Sequence, residues 1–121
     1  MSNKGLHHKI TYIEFTTTNI ERTKQFYSAV FGWSFKDWGP DYIDCNAADS
    51  GIAIGFAKGS PQPPAPNSAP LIVLYSADLK LTQAAIEAAG GSIVVPTFEF
   101  PGGRRFHFSD GAGNVMGVWS E

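Results

Sequence analysis

The chain has 121 residues, 43% of them hydrophobic and 17% charged, with a formal net charge of −2. That length is one domain by the usual prior and can fold without a disulfide or metal, and the composition excludes a disordered chain. The slight acidity gives no basic patch for nucleic acid, and the apolar runs fall far short of the ~20 residues that span a membrane.

The opening Met1 to Gly5 lacks the apolar stretch of a secretion signal, and the single Cys45 has no internal disulfide partner. Both point to a reducing cytoplasm. Residues before Lys9 read as a short lead, with His7 and His8 close to the first strand. Ile10 to Phe15 is a β-prone run that puts Ile13 and Phe15 on one face and Tyr12 and Glu14 on the other. Asn19 offers a helix cap. Ile20, Thr23, Phe26, Tyr27, Val30 and Phe31 then recur at helical spacing, and Gly32 ends the helix.

Trp33 to Trp38 alternates as a half-buried strand. Tyr42 to Asn46 is a third strand, Asp49 to Gly51 a turn, and Ile52 to Phe56 a fourth strand. Gly55 within it signals a bend or a close backbone approach. The proline-rich run from Gly59 to Pro70 cannot join a sheet ladder and reads as a linker.

The second half restates the first. Leu71 to Tyr75 is a strand and Asp78 a cap. Leu81, Ala84, Ala85, Ala88 and Ala89 form an apolar stripe, ended by Gly90 and Gly91. Asn19 to Gly32 and Asp78 to Gly91 have the same length, which is a repeat signal. Ser92 to Val95 is a strand stopped by Pro96. Arg104 to Phe108 and Asn114 to Trp119 are strands on either side of the Asp110 to Gly113 turn. The order βαβββ thus occurs twice: module one at about 9–58, the linker at 59–70 and module two at about 71–120. The expected fold is α+β, with two curved antiparallel sheets that leave a concave, cavity-bearing side.

Asn19-Ile-Glu-Arg22, Phe26-Tyr27 and Val30-Phe-Gly-Trp33 carry a resemblance, continued by Ala77-Asp-Leu79, Ala88-Ala-Gly-Gly91 and Asp110-Gly-Ala-Gly-Asn114. On these motifs the chain resembles the vicinal-oxygen-chelate superfamily. Its members include glyoxalase I, extradiol dioxygenases and the fosfomycin- and bleomycin-resistance proteins. The resemblance implies a glyoxalase-like fold, a homodimer, and in catalytic members a metal held by one ligand from each of four strands. Carried over residue by residue, those positions fall on Tyr12, Leu71 and Gly117, and the strand Ile52 to Phe56 has no Asp, Glu or His. Such side chains do not supply a divalent site. No metal or other cofactor is therefore expected.

Glu14 is the candidate general base or acid, or an anchor for a cationic ligand. Its competing reading is an ion pair with Arg104 or Arg105. Tyr12 and Asp44 could orient a ligand. Trp33, Trp38, Tyr42, Phe106, Phe108 and Trp119 could line an aromatic pocket or simply form core. His107 alternates with the two phenylalanines: if they line the pocket it does not, and if they do not it becomes an acid–base candidate. Two functions remain open. One is metal-independent binding of a small organic molecule. The other is a lactoylglutathione-lyase-like lyase or isomerase with Glu14 as base.

Overall fold

The computed structural model describes residues 7–60 and 70–121, so residues 61–69 of the linker and residues 1–6 of the lead lie outside the described residues. The chain forms two compact units, Met1–Pro61 and Gln62–Glu121.

The first unit contains β1 (Tyr12–Thr17), α1 (Ile20–Phe31), β2 (Lys36–Asp37), β3 (Tyr42–Cys45), α2 (Ala47–Ser50) and β4 (Ala53–Lys58). Its sheet has the order β1-β4-β3-β2. The pairing of β1 with β4 is parallel, and the other two pairings are antiparallel. The sheet is thus mixed rather than antiparallel throughout, because the chain returns to the side of β1 only after the excursion through β2 and β3. Asn19 caps α1 by accepting the Arg22 N–H, and Gly32 closes it at φ 73°, a backbone shape that glycine adopts without steric cost.

The helix buries Thr23, Phe26 and Tyr27. Tyr27 is fully buried and stacks on Trp33 at 5.4 Å, with Phe56 at 5.2 Å. Strand alternation sends Ile43, Cys45, Ile54 and Phe56 to this same face, and all four are buried. The stretch from Trp33 to Trp38 forms a strand only at Lys36–Asp37, since Trp33 leaves the strand line to pack on Tyr27 and Phe31. The expected turn at Asp49 to Gly51 is the end of the short helix α2, capped by Asn46.

The second unit contains β5 (Val73–Tyr75), α3 (Leu79–Ala88), β6 (Ser92–Phe100), β7 (Gly103–Ser109) and β8 (Val115–Ser120). Its sheet order is β5-β8-β7-β6, again mixed, with β5 parallel to β8. Asp78 caps α3 through the Leu81 N–H. The helix buries Leu79 and Ile86, while Leu81 is 70% exposed. The apolar stripe is therefore not the one centred on Leu81 and the alanines. Leu79 and Ile86, seven residues apart, lie on one side of a 3.6-residue helix and carry more apolar surface than alanine.

Pro96 does not end its strand either. The edge strand β6 runs on to Phe100 through register shifts between Ile93 and Phe98. An edge position with a bulge is where a sheet tolerates the missing proline N–H. The Asp110 turn is a hairpin connection: the buried Asp110 carboxylate accepts the N–H groups of Ala112 (2.8 Å) and Asn114 (3.1 Å).

Candidate functional site

Each sheet has one face turned to its helix and one turned away. In the first unit the face away from α1 carries Tyr12 and Glu14 from β1, Gly55 from β4, and Tyr42 and Asp44 from β3. The register aligns Glu14 with Gly55, and Gly55 with Asp44. The Tyr12 and Tyr42 rings lean over β4 from either side, and their hydroxyls hydrogen-bond to each other. Glycine at 55 makes this possible, because a Cβ there would lie 2.1 Å from both hydroxyl oxygens. The close approach expected of Gly55 is thus an approach of two phenols to bare backbone.

The Tyr42 hydroxyl donates to Glu14 Oε1 at 3.0 Å. With its one proton committed there, Tyr42 receives the proton of Tyr12, and the chain runs Tyr12 to Tyr42 to Glu14. Burial pushes the Tyr42 phenol far above its ordinary value of 10.0, reinforced by the bonds to Tyr12 and Glu14. Burial also raises Tyr12, with further contributions from the charges of Asp44 and Glu14. Both phenols hold their protons at neutral pH. The chain leaves the second Glu14 oxygen and the Tyr12 lone pairs as acceptors. Glu14 is exposed, so its free oxygen is open to a ligand N–H, a cation or a transferable proton. Asp44 is buried and borders a hollow of about 320 Å³ with Ser34, Phe35, Lys36 and Asn46.

In the second unit the face away from α3 carries Trp119 and Gly117 from β8, Arg105 and His107 from β7, and Phe98 and Phe100 at the end of β6. Phe106 and Phe108 alternate to the opposite side and are fully buried beside Met116 and Val118. They belong to the helix-side core, as does Trp33 in the first unit, and these three leave the set of candidate pocket residues. Trp38 is half exposed, with the Lys36 ammonium 4.1 Å from its ring centre.

His107 accordingly lies on the face away from the helix, edge-on to Phe98 at 5.7 Å. Burial lowers its pKa, with a second contribution from the Arg105 charge. Arg105 was named from sequence only as an ion-pair partner for Glu14, and Phe98 and Phe100 were not singled out. Once Phe106 and Phe108 are assigned to the core, alternation along β7 places Arg105 beside His107, but Phe98 and Phe100 depend on β6 continuing past Pro96.

The positions to which the resemblance carries the metal ligands hold Tyr12, Leu71 and Gly117, none of them a His, Asp or Glu. The Tyr12 hydroxyl is engaged by Tyr42. Gly117 has no side-chain donor, and a Cβ added there would meet His107 Cδ2 at 3.3 Å, Val73 Cγ2 at 3.4 Å and Leu71 Cδ2 at 3.5 Å. Among the described residues, no three His, Cys, Asp or Glu side chains converge as a metal site would require.

Two mixed βαβββ units with these site positions define a glyoxalase-like α+β protein. The sequence model of the Glyoxalase/Bleomycin resistance protein/Dioxygenase superfamily matches residues 9–118, and the chain belongs to that family. It is 28% identical over 116 residues to the protein named "Putative glyoxylase CFP32" of Mycobacterium bovis. That match covers 89% of this chain but 44% of the relative, so the chain spans less than half the length of the curated relatives it matches. Among solved structures it is similar to the genomically encoded fosfomycin resistance protein FosX of Listeria monocytogenes, with TM-score 0.77, 16% identity, and 96% and 95% of the two chains covered. It is also similar to a glyoxalase-related enzyme of Fulvimarina pelagi, with TM-score 0.74, 17% identity and coverage of 94% and 88%. At these identities the structural likeness is one of fold. No helix among the described residues is long and apolar enough to cross a membrane.

Proposed function

We propose that this protein binds a small organic molecule without a metal. Glu14, Tyr12 and Tyr42 form its polar anchor, and Asp44, on the same face of the first unit, is a second polar group. The observation that carries this reading is the hydrogen-bonded chain above Gly55. Where the resemblance expects a cation ligand, the sheet instead presents a phenol pair ending on an exposed carboxylate. Pre-positioned acceptors of this kind favour a ligand with an N–H, O–H or cationic group. The resistance and glyoxylase names of its relatives fit a scaffold for small organic molecules. The same reading takes the protein as a cytoplasmic homodimer, which light scattering on the eluting protein tests.

A second reading is favoured by the exposure of the Glu14 oxygen. As a lyase or isomerase of the lactoylglutathione-lyase type, the protein would use Glu14 as general base and Tyr12 or Asp44 to orient the substrate. An assay with methylglyoxal and glutathione, paired with metal analysis of the purified protein, separates the two. Turnover with stoichiometric metal supports the enzyme and overturns metal-free binding. Binding of an organic molecule by metal-free protein, with no turnover, supports the proposal.

A further inference from the structure

The second unit holds an open cleft of about 370 Å³, bordered by Val73, Phe100, Pro101, Gly102, Arg105 and Trp119. Its floor is aromatic: the Trp119 ring meets Phe100 at 6.3 Å and Tyr75 at 5.0 Å, both edge to face. The Arg105 guanidinium lies over Phe98 at 5.2 Å and Phe100 at 5.4 Å. These rings hold the guanidinium at the edge of the cleft. Its buried Nε has no hydrogen-bond partner, and no carboxylate forms an ion pair with the guanidinium, among the described residues. His107, two residues along on the same face, likewise has a buried Nε2 without a partner. The Tyr75 hydroxyl, by contrast, is taken up by Glu121.

A half-buried arginine with idle donors is an incomplete arrangement, because buried donors are as a rule paired. What completes it is an anion from outside the unit. A guanidinium is a rigid planar fork that matches a carboxylate in two parallel hydrogen bonds. The adjoining rings favour a flat apolar body over a small hydrated ion.

We infer that this cleft binds an aromatic carboxylate, with the carboxylate on Arg105 and the ring system against Trp119 and Phe100. The inference rests on the small-molecule reading above but not on Glu14.

The test is calorimetry with 1-naphthoate on the intact wild-type protein and on Arg105→Gln, Arg105→Lys and Trp119→Ala, with circular dichroism to confirm that each variant is folded. Neutral 1-naphthalenemethanol, acetate and 1-naphthyl phosphate serve as comparisons. The inference expects one naphthoate per chain, bound at least tenfold more weakly by Arg105→Gln. It expects Arg105→Lys to lie between the two, since lysine keeps the charge and loses the fork. It also expects the alcohol to bind wild type and Arg105→Gln alike, Trp119→Ala to weaken both ring ligands, and acetate to bind far more weakly. Equal naphthoate affinity in wild type and Arg105→Gln overturns the carboxylate assignment, as does acetate matching naphthoate or naphthyl phosphate binding more tightly than naphthoate. In those cases a protein that still binds the alcohol leaves the small-molecule reading standing. Failure of every ring ligand overturns the cleft as a binding site.

Discussion

The hydroxyls of Tyr12 and Tyr42 meet directly above Gly55, at the point where any other residue would place its Cβ. Two strands that are not neighbours, β1 and β3, are thereby joined across the intervening β4 by side chains rather than backbone.

Gly55→Ala should force the two rings apart and destabilise the protein by ~1–3 kcal/mol, the usual range for overpacking. Urea unfolding measures this. The penalty should be smaller in a Tyr12→Phe, Tyr42→Phe background, which removes the two oxygens nearest the new methyl group. Equal penalties in the two backgrounds would mean that the pair does not constrain position 55.

The raised phenols also make a pH prediction. A tyrosine whose folded pKa lies above its unfolded value of 10.0 keeps its proton in the native state while the unfolded chain loses it. The associated stability is complete below pH 10 and falls as pH rises beyond it, by up to ~1.4 kcal/mol per pH unit for each such phenol. Tyr42→Phe should flatten the alkaline limb of a stability profile. In Glu14→Gln, ultraviolet titration should find Tyr42 ionising at lower pH than in wild type but still above 10, since burial and the Tyr12 bond remain.

His107 gives the opposite limb. Burial lowers its pKa below 6.5 in the folded state, so the unfolded chain takes up a proton first on acidification. That contribution is present above pH 6.5 and is lost as pH falls through the folded pKa. A proton NMR titration should find His107 ionising below 6.5, and Arg105→Gln should raise its midpoint without restoring it fully. A His107 midpoint above 6.5 would contradict the buried placement.

Much of the fold could be read from residues with local causes. Asn19, Gly32 and Asp78 act through their own backbone neighbours, and each does what its type predicts. The errors fall where tertiary context decides. Leu81 looks like core but is exposed, because seven-residue spacing let Leu79 and Ile86 take the buried side. Pro96 looks like a stop but sits on a sheet edge, and the parallel pairing of first and last strands cannot be read from alternation at all. The site divides the same way. Tyr12 and Glu14 were expected on one face and Tyr42 as a pocket or core aromatic, but a sequence does not say that the three bond to one another over Gly55. Phe106, Phe108 and Trp33 take the core alternative, which sequence left open because an aromatic residue on an alternating pattern fits a pocket and a core equally well.

The reassignment has its own test. Phe108→Ala should cost ~3–5 kcal/mol of stability, as loss of a fully buried ring does. At a temperature where the variant stays folded, its affinity for a ring ligand should be unchanged. Trp119→Ala should show the reverse balance, with a small loss of stability and a large loss of affinity.

The most direct test of the central claim is a ligand-observed NMR screen of small organic molecules against wild type and Glu14→Gln in excess chelator. The account predicts at least one molecule bound in a 1:1 complex by chelated wild-type protein and at least tenfold more weakly by Glu14→Gln. Binding that disappears in chelator and returns with a divalent cation, or a screen in which no bound molecule is weakened by Glu14→Gln, would contradict it.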